Sequence, residues 1–258
     1  MIAQFSLRLI CGMSLMWSFM PRRQVTSGFF RIQMLVVLGL SILCALTIGQ
    51  IFDERSANEF LLSPAAGISC AAGLAVVAFL GSILWTLECR RAGTVCVLLV
   101  ATGSAMLLLM ATIPAESFGR LIAGLLVLSE LSTAAMLGST VTGMLLGHWY
   151  LTAPTMSTTP LDRLNLYVGL SAIGRLVLSG IGLILAWDQL ATGTVWLWLS
   201  LRWTAGIAGP LLAAVMVWRI LKYRNTQSAT GVLFVAVVLV FIGALSASLL
   251  RTEIPIPL

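Results

Sequence analysis

Histidine occurs once in this chain, at His148, and lysine once, at Lys222. Charged residues of all kinds make up 9% of the sequence, against roughly 25% in a soluble domain. One histidine excludes a bis-histidine haem site within a single chain. The five cysteines, Cys11, Cys44, Cys70, Cys89 and Cys96, form no CxxC, so no protein-only zinc site can be drawn. There is no Walker loop, no GxGxxG after a strand, no HExxH and no GxSxG. Of the acids, only Glu130 lies deep within an apolar run, so acid–base chemistry would rest on one group. No independent catalytic activity, no catalytic residue and no metal are expected. No stretch between the apolar runs is long enough to fold as a domain of its own. Chemistry that needs an extramembrane site must come from a partner.

What the chain does contain is apolar side chains: 59% of residues, with a mean hydropathy of +1.04. No soluble fold of 258 residues has interior enough to hide them, so the surrounding solvent is lipid. The formal charge of +6 does not point to nucleic acid, because the arginines sit in short segments between apolar runs. All the cysteines except Cys89 fall inside such runs and read as small buried hydrophobes.

The expected fold is all-α and polytopic, with eight transmembrane helices. The spans are 1–20, 32–52, 65–87, 92–113, 121–147, 164–187, 194–218 and 228–250. The first is the least secure. It could be mistaken for a secretory signal, but Arg22, Arg23 and Arg31 follow its apolar stretch instead of preceding it. Arg8, near the N-terminus, is expected to snorkel outward. Asp53, Glu54, Arg55 and Glu59 form a net-acidic connection, and Pro114 stops the fourth span. Pro154 and Pro160 mark 148–162 as a loop. Pro255 and Pro257 prevent the tail from continuing a helix. One face of the membrane then receives Arg22, Arg23, Arg31, Arg90, Arg91, Arg163, Arg219, Lys222 and Arg224. By the positive-inside rule that face is cytoplasmic, and both termini lie on the other side of the cell membrane.

The halves resemble each other. Trp17 and Arg31 are spaced as Trp149 and Arg163 are, and Trp85 and Arg91 as Trp218 and Arg224 are. Residues 1–120 and 121–258 therefore read as two parallel four-helix repeats, related by an axis along the membrane normal.

Three charges stand where lipid would tolerate none of them alone. Counted along a helix from the nearest boundary, Glu130 is ~15 Å deep, Arg175 ~18 Å and Arg202 ~12 Å. Each costs at least ~2.5 kcal/mol if left facing lipid. Small and hydroxyl residues flank all three at helical spacing: Thr133, Ala134 and Gly138 near Glu130, Ser171, Ala172 and Ser179 near Arg175, Ala205, Gly206 and Gly209 near Arg202. Such faces turn toward other helices. The three charges are thus expected to meet in the second half, either as an ion pair fixing helix register or as a ligand site. The surplus guanidinium would suit a carboxylate, a phosphate or a quinone carbonyl. A proton route from His148 to Glu130 past Thr133 and Thr140 would have to bridge ~27 Å. His148, Trp149 and Tyr150 otherwise form an interfacial belt.

Weaker features complete the reading. Thr226 to Gly231 supplies hydroxyl N-caps for the eighth helix. Gly143 and Gly147 form a GxxxG packing motif. Pro210 should kink the seventh helix, which could hinge there.

Eight helices in two bundles with outer termini are similar in architecture to the quinol-binding membrane subunits of polysulfide-reductase type, a likeness that carries no residues. The buried polar cluster, together with the lack of any long extramembrane stretch, points to a non-catalytic membrane subunit of a redox complex, expected to bind a quinone or similar lipid-soluble molecule beside Glu130, Arg175 and Arg202, with a soluble redox subunit and the bilayer as partners. The alternatives are a small proton-coupled transporter using Glu130 and a structural scaffold.

Overall fold

The computed structural model of the protein describes residues 1–49, 63–112, 120–153, 156–187 and 193–253. The acidic connection at 53–59, Pro114, Pro154 and the proline-containing tail lie outside them. Among the described residues every regular element is helical, and eight helices are long and apolar enough to cross a membrane. They are α1 (Ile2–Phe19), α2 (Ser27–Thr47), α3 (Pro64–Thr86), α4 (Arg90–Met110), α5 (Arg120–Trp149), α6 (Thr159–Leu185), α7 (Gly193–Leu221) and α8 (Thr226–Glu253). Large apolar side chains point outward along them, among them Leu46 at 78% and Ile184 at 77% exposure. A protein in water would bury these; in acyl chains they are at home.

The chain falls into two rings. In the first, α1 packs on α2, α2 on α3, α3 on α4 and α4 back on α1. In the second, α5, α6, α7 and α8 follow the same order, with α8 returning to α5. The rings join along α1 and α5. That seam is tight because both helices offer glycine: a Cβ on Gly12 would fall on the Ala134 carbonyl, and one on Gly138 would fall on the Gly12 backbone. The central position of α1 accounts for its composition. It has the lowest hydropathy of the eight, 1.2, and the largest buried share, 67%. A helix surrounded by protein can carry Ser6, Arg8 and Ser14, which no lipid-facing helix could hold so deeply.

Several boundaries differ from those expected. α2 starts at Ser27, so Arg31 lies inside its first turns, exposed, rather than ahead of it. α6 starts at Thr159, with Pro160 in its first turn, so Pro160 opens a helix and does not mark a loop. Proline suits that turn, whose N–H groups have no intrahelical acceptor. The cap of α8 is Asn225, whose Oδ1 accepts from the Ser228 N–H at 3.0 Å, and not a hydroxyl of the Thr226–Gly231 stretch. Cys70 is exposed, as Cys89 is; Cys11, Cys44 and Cys96 are buried. In α7 the residues before Pro210 form a π-helical turn, Thr204–Ala208. Proline has no N–H and its ring crowds the carbonyl four residues earlier, and a widened turn relieves both.

The arginine-rich ends of the two rings are stitched together by aromatic residues. The Trp149 indole donates to Thr26 Oγ1 at 2.8 Å and meets Phe29 edge-on with ring centroids 6.0 Å apart, while within the first ring Phe30 stacks on Trp85 with centroids 4.5 Å apart. The Tyr150 hydroxyl donates to the Ser157 carbonyl and closes the α5–α6 connection. Burial, reinforced by the Asp162 carboxylate, pushes that phenol upward from its ordinary pKa, so it remains a neutral donor. The tryptophans that suggested a repeat occupy unlike places: Trp17 and Trp85 are buried, Trp149 is half-buried and Trp218 is exposed beneath Lys222.

Candidate functional site

The opposite end of the bundle holds the buried charges. Glu130, on α5, is 2% exposed. It accepts from Arg8 Nε at 2.6 Å on Oε2 and from Arg8 Nη2 at 2.7 Å on Oε1. Arg251 Nη1, from α8, also donates to Oε1, and Gln4 Nε2 reaches the same oxygen at 3.4 Å. Arg8 completes the link with a bond from Nη1 to Ser248 Oγ at 3.2 Å. One carboxylate thus ties α1, α5 and α8 together. The side-on geometry is the strong form of this pairing, with two parallel charge-assisted bonds. The expected outward snorkelling of Arg8 is wrong: the side chain is 4% exposed and turned inward. An arginine near a chain end reaches water only if nothing better is within reach, and here a carboxylate is.

Arg175 sits on α6 and is held by hydroxyls and a carbonyl of α5. Its Nη1 donates to Thr133 Oγ1 at 2.6 Å, the Ser129 carbonyl at 2.8 Å, Ser129 Oγ at 3.0 Å and Ser132 Oγ at 3.3 Å. Arg202, on α7, donates from Nη2 to Ser179 Oγ at 2.9 Å, while its Nε is buried with no acceptor. Arg175 and Arg202 are 4% and 3% exposed. Both line a cavity of about 20 Å³, walled otherwise by Thr133, Met136, Gly206, Val240, Gly243 and Ala244. That is room for one water or one oxygen atom of a ligand. The cavity sits where α7 and α8 touch backbone to backbone, since a Cβ on Gly206 would stand 2.9 Å from Gly243 Cα.

The charge count decides what this arrangement can do. Among the described residues three buried guanidiniums, of Arg8, Arg175 and Arg202, accompany one buried carboxylate, Glu130, and that carboxylate is bonded to Arg8 and Arg251. Among the described residues no ion pair involves Arg175 or Arg202, and no cluster of metal-ligating side chains occurs. Hydroxyl and carbonyl partners satisfy N–H groups but leave the charge of a buried guanidinium without a counter-charge. An oxygen carrying negative charge or a carbonyl dipole in the cavity would offset it.

The three charges named from sequence therefore divide. Glu130 bonds to α1 and α8, whereas Arg175 and Arg202 share the cavity with Thr133. His148 is exposed at the far end of α5, and the Thr140 hydroxyl is taken up by the Met136 carbonyl at 2.8 Å. Sequence reasoning missed Gln4, Arg8, Ser248 and Arg251. A usable signal existed: Gln4 and Arg8 are one turn apart on α1, and Ser248 and Arg251 are one turn apart on α8, so each pair marks a polar face. Comparison with protein families, with curated proteins and with solved structures finds no match for this chain, so its functional reading rests on these side chains.

Proposed function

We propose that this chain is a non-catalytic membrane subunit of a redox complex, and that it binds a quinone or similar lipid-soluble carbonyl compound through Arg175 and Arg202. The observation that carries the reading is the buried Nε of Arg202, without an acceptor, beside a second guanidinium on one cavity. A quinone oxygen is an acceptor of the right size, and it gains negative charge on reduction, when two guanidiniums would hold it most strongly. In this reading Glu130 has a different task. Held by Arg8 and Arg251, it fixes the register of three helices. A proton-coupled carrier built on Glu130 is disfavoured, because protonating it would leave the buried Arg8 guanidinium without its counter-charge. The matching neighbour order of the two rings favours a parallel duplication, and the clustering of arginines at one end favours placing that end in the cytoplasm of a cell with the chain in its plasma membrane.

The test is purification from native membranes in mild detergent with any partners retained, followed by mass spectrometry of the organic extract. A quinone should co-purify in stoichiometric amount, and Arg202→Leu should lose it while keeping the fold and assembly. Absence of quinone from the complex, together with unchanged quinol turnover in Arg202→Leu, would overturn the proposal.

A further inference from the structure

A cavity of about 620 Å³ lies at the other end of the molecule, between the α1–α2 connection and the start of α4. Its wall contains Arg22 and Arg23 from a 3₁₀ turn, Arg90 and Arg91 from the first turn of α4, and Trp85 from the last turn of α3. No acid lines it. Glu88, in the neighbouring turn, is exposed and makes no ion pair among the described residues.

Arginines on one face of a membrane protein ordinarily serve orientation, for which number and side suffice. Three features here exceed that need. The four guanidiniums surround a concavity instead of spreading over a surface. Arg22 Nη1 and the Trp85 indole N–H are both buried without an acceptor, and Trp85 is only 1% exposed. Finally, Arg90 and Arg91 begin a helix whose Cys89 cap makes no side-chain bond and whose first turn has no acid. Cations at that end oppose the helix dipole, so the arrangement costs energy unless an anion is present.

The geometry points to a phosphoryl-binding site in this cavity, formed by Arg22, Arg23, Arg90 and Arg91 with the Trp85 N–H as a further donor. Planar guanidiniums grip phosphate oxygens two at a time, and the indole adds a directed neutral bond. The phosphoryl group could belong to an anionic phospholipid headgroup or to a soluble phosphate compound. The same donors would serve either.

Two probes separate the sources. Native mass spectrometry of the full-length protein would compare retention of phosphatidylglycerol with that of phosphatidylcholine. Calorimetry in phosphatidylcholine nanodiscs would measure binding of inorganic pyrophosphate. Preferential retention of phosphatidylglycerol identifies a lipid headgroup, and pyrophosphate binding identifies a soluble ligand; either supports the site. Arg22→Gln with Arg90→Gln should weaken whichever is observed by at least about tenfold. Arg163→Gln, an exposed arginine outside the cavity, should leave it unchanged. Neither ligand binding, or an equal loss in Arg163→Gln, would overturn the inference. Arg91→Gln alone supplies an independent variant if the double substitution does not fold.

Discussion

Arg8 and Glu130 stand 122 positions apart in the chain and face each other side-on, two nitrogens on two oxygens at 2.6 and 2.7 Å. The pair crosses the seam between the rings, since Arg8 belongs to the first and Glu130 to the second. It is therefore a joint between two four-helix units as well as a local contact.

Removing only the carboxylate should be worse than removing the pair. Glu130→Gln leaves Arg8 buried and uncompensated and should cost about 3–5 kcal/mol. Replacing Arg8 and Glu130 together by methionine should recover much of that loss, because Arg251 is less enclosed than Arg8 and can swing toward water. Thermal unfolding of the purified variants in detergent measures both. A double variant no more stable than Glu130→Gln would contradict the assignment of Glu130 to structure.

The α1–α5 seam gives a second expectation. Gly138→Val would drive a side chain into the Gly12 backbone and should destabilise by about 3 kcal/mol, the upper end of overpacking costs. Gly124→Val on the same helix meets nothing within 4 Å and should stay within about 0.5 kcal/mol of the parent. Equal stability of the two variants would mean that the helices do not approach so closely.

Orientation can be read from a native thiol. Cys89 is free and exposed in the turn between α3 and α4, at the arginine-rich end. In intact cells a membrane-impermeant maleimide should leave it unlabelled, and permeabilisation should expose it. Labelling without permeabilisation would place that end outside and reverse the proposed topology.

How much of this was legible beforehand follows from which forces act locally. The helices were, because twenty apolar residues in a row have only one stable form in lipid. Burial of Glu130, Arg175 and Arg202 was legible for a similar reason: a charge in an apolar run must turn away from acyl chains. Their partners were not. Which guanidinium reaches Glu130 depends on how α1 packs on α5, and that packing depends on Gly12 and Gly138; small residues mark a face that meets another helix without saying which helix it meets. The same blindness hid the centrality of α1. Its low hydropathy reads as a weak span when taken alone, and as an enclosed helix once its neighbours are known. Helix starts at Ser27 and Thr159 were missed because arginine and proline were treated as boundaries, although either can sit in a first turn.

The widened turn Thr204–Ala208 carries one residue more than an ordinary turn would need. It is a place where α7 holds spare length. Losing one residue there would let the turn revert to ordinary helix with Arg202 still directed at Ser179 and with Ala213, Ala214 and Val217 still on their packed face. Losing one beyond Pro210 would swing that face by about 100° toward lipid. The seventh helix thus has a point, beside the cavity, where a change of one residue leaves the faces on either side in register.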